Sequence, residues 1–494
     1  MPDNDKNPVV GIDLGTTFSA IARWDGRGAR HYQILGKDTI QSVVYLNPTN
    51  GEVLVGQLAY NRGLISPENM VVGVKREMDN GGNSLQVGGR AFTPIELSSK
   101  ILQYIYGGVR DQFPTGQFSH RGAVVTVPYY FKANQCANTR LAAESAGLNC
   151  IGILQEPIAA ALHYVWELVQ EQPEREGKER ILVFDLGGGT FDLTLFDLTQ
   201  TRDKITFDVL ASGGDDRLGG MDFDDRLVAL LCQKGNINLE GHSQDVVRKA
   251  TRKLTEAAID AKITLSSATS TSAAAADVLP GVSLDVDVTR AEFEECIADY
   301  VNKVKQIMDD LWPKARVTAG SVNRVIRVGG SSQIPCMRAM LDDTIGAQKN
   351  WGNLNPALCV AQGAAMYAAY LDDREAFGRE IEIKAVNPHS LGVGLAGGRF
   401  HSIIKENRKV PCTQPMRFTN VRDNDTTLEI SVYQGSSANV SGNTCVGTIV
   451  IPDLPSRPAG TLDILVTFQM DAEQTLSVTV ETEGIIKNAA FAVA

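Results

Sequence analysis

Aromatic residues are scarce in this chain of 494 residues, at 6%, and no apolar run nears bilayer length. A membrane-crossing helix needs ~20 consecutive apolar residues, so a membrane partner is excluded. Basic patches are missing too. The 47 Lys and Arg are outnumbered by 58 Asp and Glu, for a net charge of −11. Nucleic-acid affinity rests on clustered cations. The nearest cluster, Arg248, Lys249, Arg252 and Lys253, reads as one solvated helix face, so nucleic acid is excluded as well. The eight cysteines are scattered, with no Cys-x-x-Cys and no adjacent His pair. That spacing argues against zinc and against a disulfide framework, and for reduced thiols. The opening Met1-Pro-Asp-Asn-Asp-Lys has no apolar core and does not read as a secretory signal; a cytoplasmic chain is expected. The six histidines and the Asn-x-Ser/Thr matches at Asn424 and Asn439 read as surface or core residues.

Glycine is plentiful, at 46 residues, and the hydrophobic share of 43% is that of a globular protein. At roughly 150 residues per domain the length allows about three domain equivalents. Residues 1–378 alternate β-rich runs with helical stretches, as α/β domains do, with helices expected over 134–146, 156–170, 243–266, 290–312, 335–345 and 356–371. The pattern then turns short and charged, marking a linker over 379–386. From 387 to 494 alternating runs at 391–396, 416–421, 427–433, 445–451, 461–468 and 475–481 predict a β-sandwich. Gly392-Val-Gly-Leu-Ala-Gly matches G-x-G-x-x-G, but a strand-like run follows it, so it reads as a hairpin and not as a dinucleotide site.

An internal repeat carries the chemistry. Val9-Val-Gly-Ile-Asp-Leu-Gly-Thr-Thr-Phe returns in outline as Leu182-Val-Phe-Asp-Leu-Gly-Gly-Gly-Thr-Phe. Each copy is a β-run ending in Asp, a glycine turn with Thr, and a second β-run. This predicts two similar lobes whose loops clasp one ligand. Glycines let backbone amides close on a phosphate. Thr16, Thr17 and Thr190 add hydroxyls, and Asp13 and Asp185 are placed to hold a hydrated Mg²⁺. A third turn, Val328-Gly-Gly-Ser-Ser-Gln-Ile-Pro, follows a strand and sets Pro335 at the start of a helix. It offers a backbone surface for a base or ribose.

These stretches, with Gly214-Asp-Asp-Arg-Leu-Gly-Gly-Met-Asp-Phe-Asp, Val127-Pro-Tyr-Tyr-Phe, Gln155-Glu-Pro-Ile-Ala-Ala-Ala-Leu and Asn387-Pro-His-Ser-Leu-Gly, resemble in order the heat shock protein 70 (DnaK-type) chaperones along essentially the whole chain. The resemblance implies an actin-like (ribonuclease H-like) ATPase domain of two lobes, joined to a β-sandwich that binds extended hydrophobic peptides of unfolded proteins. It implies Lys75 as orienting the attacking water and Glu156 with Asp13 and Asp185 around the Mg²⁺ water shell. Asp192 is implied as a further acid at the catalytic centre, Thr16 and Thr17 at the β- and γ-phosphates, and Thr190 at the γ-phosphate. Nucleotide contacts are implied for Gly15, Gly187, Gly188, Gly189, Gly214, Gly219, Gly220, Lys262, Ser266, Gly329, Gly330 and Ser331, and an allosteric role for Pro128. Val393, Leu395, Ala396, Phe418, Val421, Leu428 and Ile430 are implied as lining or arching over the peptide groove, with sandwich core as their other reading. ATP, Mg²⁺, a J-domain co-chaperone and a nucleotide exchange factor complete the implied set.

Departures from the family sit at the nucleoside end and at the coupling elements. Ile259 replaces a glutamate that contacts ribose or adenine, Gln333 replaces an arginine that lies over the adenine face, and Ala357 and Leu358 replace an acidic pair. Loss of a stack and a polar contact costs roughly 1–3 kcal/mol, so ATP affinity ~10- to 100-fold below the family norm is expected. Cys136 and Gly152 stand where arginines serve Pro128 and the J-domain. The linker Ile381-Glu-Ile-Lys-Ala-Val carries Glu382 and Lys384, whose docking into an apolar cleft is costly unless they pair or reach water; weak coupling between the domains is expected. The chain ends at Ala494 without the family's helical lid, which predicts fast peptide release. Two other functions remain open: a nucleotide-binding regulator with weak ATPase, and an actin-fold small-molecule kinase.

Overall fold

The computed structural model of the protein describes residues 7–80, 83–115, 118–171, 176–351, 354–376, 378–471 and 475–492. The expectations about residues 1–6 and about the chain end at 494 lie outside the described residues. Both copies of the repeat build the same sheet. Val9–Asp13 runs antiparallel to Phe18–Trp24 and parallel to Gly122–Val127, which pairs in parallel with Cys150–Gln155. In the second lobe Gly177–Leu186 runs antiparallel to Phe191–Gln200 and parallel to Arg324–Val328, which pairs in parallel with Asn350–Trp351. Parallel strands covered on both faces need near-continuous apolar sequence, and Gly122–Val127 is buried at all six positions.

Two alanine-rich helices, Glu156–Glu171 and Cys359–Asp372, share one core with Val9 and Val124 of the first sheet and Ile181, Val183 and Ile326 of the second. Small side chains are required there. A Cβ on Gly363 would collide with the Ala159 carbonyl, and one on Gly11 with the Ala365 amide. The helices thereby bring the two repeat turns to one cleft.

The expected helices form at Ala133–Ser145, Gln244–Leu265 and Pro335–Ile345, with Pro335 in the first turn. The stretch expected as one helix over 290–312 is two, Arg290–Cys296 and Ala298–Ala315, broken at Ile297, whose φ of −107° and ψ of 7° leave the helical region. The reading of Arg248 to Lys253 as one solvated face is corrected at Arg252, while Arg248 and Lys249 are exposed. Arg248 lines the cleft, and Arg252, 10% exposed, pairs with Glu256 and lies over the Tyr60 ring at 4.7 Å. Spacing of i, i+4 puts 248, 252 and 256 on one face, and that face looks across the cleft.

The C-terminal part is two four-stranded sheets around a common core. One holds Arg399–Ile404, Leu391–Leu395, Leu428–Gln434 and Thr444–Ile451; the other holds Cys412–Phe418, Ile464–Met470, Thr475–Thr482 and Ile485–Ala492. Gly397 and Gly398, with φ of 77° and 73°, turn the hairpin expected from the glycine motif. The linker is itself a strand: Glu380–Lys384 adds in parallel to Lys204–Asp215 at the edge of the second-lobe sheet. The cost expected of its charges is offset by pairing. Glu382 accepts from Thr206 at 3.2 Å and pairs with Lys204 at 3.2 Å and Lys384 at 3.5 Å. Ile381 is buried against the lobe core.

Candidate active site

Five charged side chains converge where the repeat turns meet. Asp13 ends its strand, bonded at 3.2 Å by the Thr126 hydroxyl of the parallel neighbour. Asp185 lies near the end of the matching strand, opposite Asp192 in its hairpin. Glu156 opens the helix Glu156–Glu171 and forms a buried ion pair with Lys75, whose ammonium also faces the Phe131 ring at 5.7 Å. Burial pushes the Asp13 carboxyl up to about 7, helped by Glu156, and burial and Glu156 push Asp192 up to about 8. Asp185 is raised well above the usual carboxylate range by burial, then by Glu156, Asp192 and Asp13. Burial alone would lower the Lys75 ammonium, but Glu156 and Asp13 more than offset it and hold it above the ordinary lysine value. Burial leads each carboxyl's shift, and Glu156 acts on all three Asp side chains, which sets them in one buried neighbourhood around the Lys75–Glu156 pair. Among the described residues no three acidic, His or Cys side chains form a direct ligand set for a metal.

The turns touch across the cleft. A Cβ on Gly188 would strike the Thr17 side chain, and one on Gly189 the Thr16 side chain. The Thr17 hydroxyl is buried without a hydrogen-bond partner among the described residues. Gly219 and Gly220 pack on this turn, with Gly220 N donating to Gly187 O at 3.0 Å and Met221 N to Gly188 O at 2.8 Å. They begin the helix Gly220–Lys234, whose first amides are spent on this packing. Sequence reasoning missed this helix and also Arg76, which donates to Gly189 O at 2.7 Å and pairs with Asp222. Its only signal was adjacency to Lys75. Thr190 is buried, and its carbonyl accepts from Gly187 N.

Next to the turns a cavity of about 680 Å³ opens, lined by Thr16, Thr17, Gly188, Gly220, Lys262, Ser266, Gly330 and Ser331 of the expected set. Lys262 pairs with Asp224 at 2.6 Å and donates to Gly220 O at 3.0 Å. Ile259, Ile263, Ile334 and Val72 give the far end an apolar wall. Gly329, at φ 79°, abuts the Leu186 carbonyl and admits no side chain. Gln333 is turned away, bonded to Arg327 at 3.3 Å and Ser332 at 3.1 Å. Gly214 does not line the cavity; it pairs with Asp192, and a Cβ there would meet Asp192 Oδ1 and Tyr130 at 3.1 Å.

Of the expected groove residues, Val393 and Ile430 are buried in the sandwich core, with Leu395, Phe418 and Leu428 packed partly against it. Ala396 is exposed in the hairpin turn, and Val421 is 67% exposed. Cys136 is buried beside Val127 and Phe131, and all eight cysteines are free thiols.

Comparison with known proteins gives one family. The model of the family described as Hsp70 protein matches residues 9–85 and 77–494. The Chaperone protein DnaK of Deinococcus radiodurans is 35% identical over 505 residues, covering 95% of this chain and 76% of the relative. That of Deinococcus proteolyticus is 34% identical, covering 98% of this chain and 78% of the relative. The Halobacterium salinarum protein of the same name is 34% identical over 485 residues, covering 96% and 73%.

Proposed function

This chain belongs to the Hsp70 family, and we propose that it is an ATP-dependent molecular chaperone, hydrolysing ATP to ADP and phosphate and binding extended apolar segments of unfolded polypeptides. The observation that carries the reading is the meeting of Asp13 and Asp185, one from each lobe, with the Lys75–Glu156 pair. The cavity beside them has the volume of a small-ligand site.

Thr16, Thr17 and the amides of Gly188 and Gly189 take the phosphates; the amides of Gly15 and Gly187, expected to join them, donate instead to Ser19 Oγ at 3.2 Å and Thr190 O at 3.1 Å. The nucleoside lies along Gly329, Gly330 and Ser331, with Lys262 and Ser266 opposite. Four buried carboxyls stand around one ammonium, and burial makes ionising them costly; a hydrated Mg²⁺ would offset that cost. Asp13, Glu156 and Asp185 would hold it through its waters. When bound, the ion supplies charge neutralisation on the phosphates. Lys75 orients the attacking water, and Asp192 presents Oδ2, a buried oxygen with no hydrogen-bond partner among the described residues. The protein's contribution is thus positioning and electrostatics.

A reducing cytoplasm suits eight free thiols. Among the described residues no helix is long and apolar enough to cross a membrane. A J-domain co-chaperone and a nucleotide exchange factor belong to the same reading. At Gly152, however, a Cβ would already meet Leu371 at 2.8 Å, so this position offers no side chain to such a partner. Fluorescence anisotropy of a labelled apolar heptapeptide tests the proposal. Micromolar binding whose release accelerates several-fold on adding Mg²⁺-ATP is expected; release that ignores ATP would contradict it.

A further inference from the structure

The first residues of the β-sandwich reach into the catalytic lobe. Tyr129 donates its hydroxyl to Val386 O at 3.0 Å and accepts from Val386 N at 3.1 Å. One residue on, Tyr130 is held from two sides. Its amide donates to Asp192 Oδ1 at 3.0 Å, and its carbonyl lies 2.7 Å from His389 Nε2. A carbonyl can only accept, so Nε2 carries the proton and donates. The His389 ring meets the Tyr130 ring edge-on at 4.3 Å and is 4% exposed. Asn387, fully buried, aims it: its amide donates to His389 O at 2.8 Å and Lys405 O at 2.9 Å.

We propose that His389 is a positioning residue for ATP hydrolysis, fixing the Tyr130 peptide and through it the Asp192 carboxylate. This rests on the ATPase reading above and deepens it: a side chain of the peptide-binding domain sets an acid of the catalytic centre. Asp192 Oδ1 is committed to Tyr130, which leaves Oδ2 buried with no hydrogen-bond partner among the described residues. The Asp192 bond is made by the 129–130 peptide and the His389 bond by the 130–131 peptide, so the two are coupled through the Tyr130 backbone. Burial keeps His389 neutral, as a single-donor role requires. Removing the donor leaves the Tyr130 carbonyl without its side-chain partner, which the loop relieves by turning.

Single-turnover hydrolysis by the full chain, with ATP affinity measured by calorimetry, tests this on His389→Leu, His389→Gln, Asp192→Asn and the Leu/Asn double variant. His389→Leu is expected to slow hydrolysis about tenfold, the scale of one lost hydrogen bond, with ATP affinity within about twofold of the parent. His389→Gln keeps a neutral N–H at similar reach and is expected to recover most of the rate. On the Asp192→Asn background the Leu change should add little, since both act on one group. Should His389→Leu fail to fold, His389→Asn, whose amide is too short to reach Tyr130 O, carries the same expectation. A parental rate in the Leu or Asn variant, or equal slowing on both backgrounds, would overturn the inference alone. A parent without Lys75-dependent hydrolysis would overturn the ATPase reading, and this inference with it.

Discussion

Lys75 faces four buried carboxylates and is bound to one of them, Glu156. Breaking such a pair leaves a buried charge uncompensated, at a cost of about 3–5 kcal/mol. The turns around it were legible in the sequence because each chemical need has a residue type: Gly for close approach, Thr for donors, Asp at strand ends. Arg76 was not legible. An arginine beside a lysine has no sequence mark of crossing a cleft, and only the lobes' approach shows it bridging Gly189 and Asp222. His389 was passed over as core for the same reason. At the nucleoside end the apolar wall of Ile259, Ile263 and Ile334, with Gln333 bonded elsewhere, supports weakened ATP binding. Calorimetry of Mg²⁺-ATP should show Ile259→Glu, or Gln333→Arg, tightening affinity by about tenfold, one hydrogen bond or stack to a charged group. An unchanged constant in both would count against a weakened site.

Elements were legible where their periodicity is local. The helix Pro335–Ile345 and most sandwich strands appear where Pro335 and alternation place them, but the run expected at 416–421 forms at Cys412–Phe418, and Ile485–Ala492 was not expected. The helix Gly220–Lys234 was hidden because it opens on a glycine and carries acids through its first turns, a loop-like composition that packing of Phe223, Leu227 and Leu231 overrides. The linker was misjudged in energy rather than in place. Its charges looked costly because pairing partners such as Lys204 lie some 180 residues away and meet them only in the assembled sheet. Those pairs are half exposed and contribute about 0–1 kcal/mol each, so Ile381 and the backbone ladder hold the strand. Limited proteolysis across 379–386 should therefore find Glu382→Gln as protected as the parent and Ile381→Asp cut readily. The reverse order would show that charge pairing dominates docking.

Over the whole molecule, two histidines make folding sensitive to acid. Burial lowers His163 and His389 to about 4, from an ordinary value of 6.5. The unfolded chain then binds more protons between pH 6.5 and 4, so stability is present above that window and is lost as pH falls through it. Each histidine contributes up to about 1.4 kcal/mol per pH unit. Urea midpoints at pH 7 and 4.5 should fall less steeply for His163→Leu than for the parent. An equal fall would show that His163 does not titrate with unfolding. The two lobes, their shared helical layer and the docked sandwich make one machine only if the centre between Asp13 and Asp185 works on a triphosphate.

Single-turnover hydrolysis of γ-labelled ATP by the full chain and by Lys75→Ala addresses that directly. Phosphate release by the parent, slowed at least about a hundredfold in Lys75→Ala as expected for loss of a group orienting the nucleophile, is the predicted result. A parent that binds ATP but releases no phosphate, or a Lys75→Ala chain as fast as the parent, would contradict it.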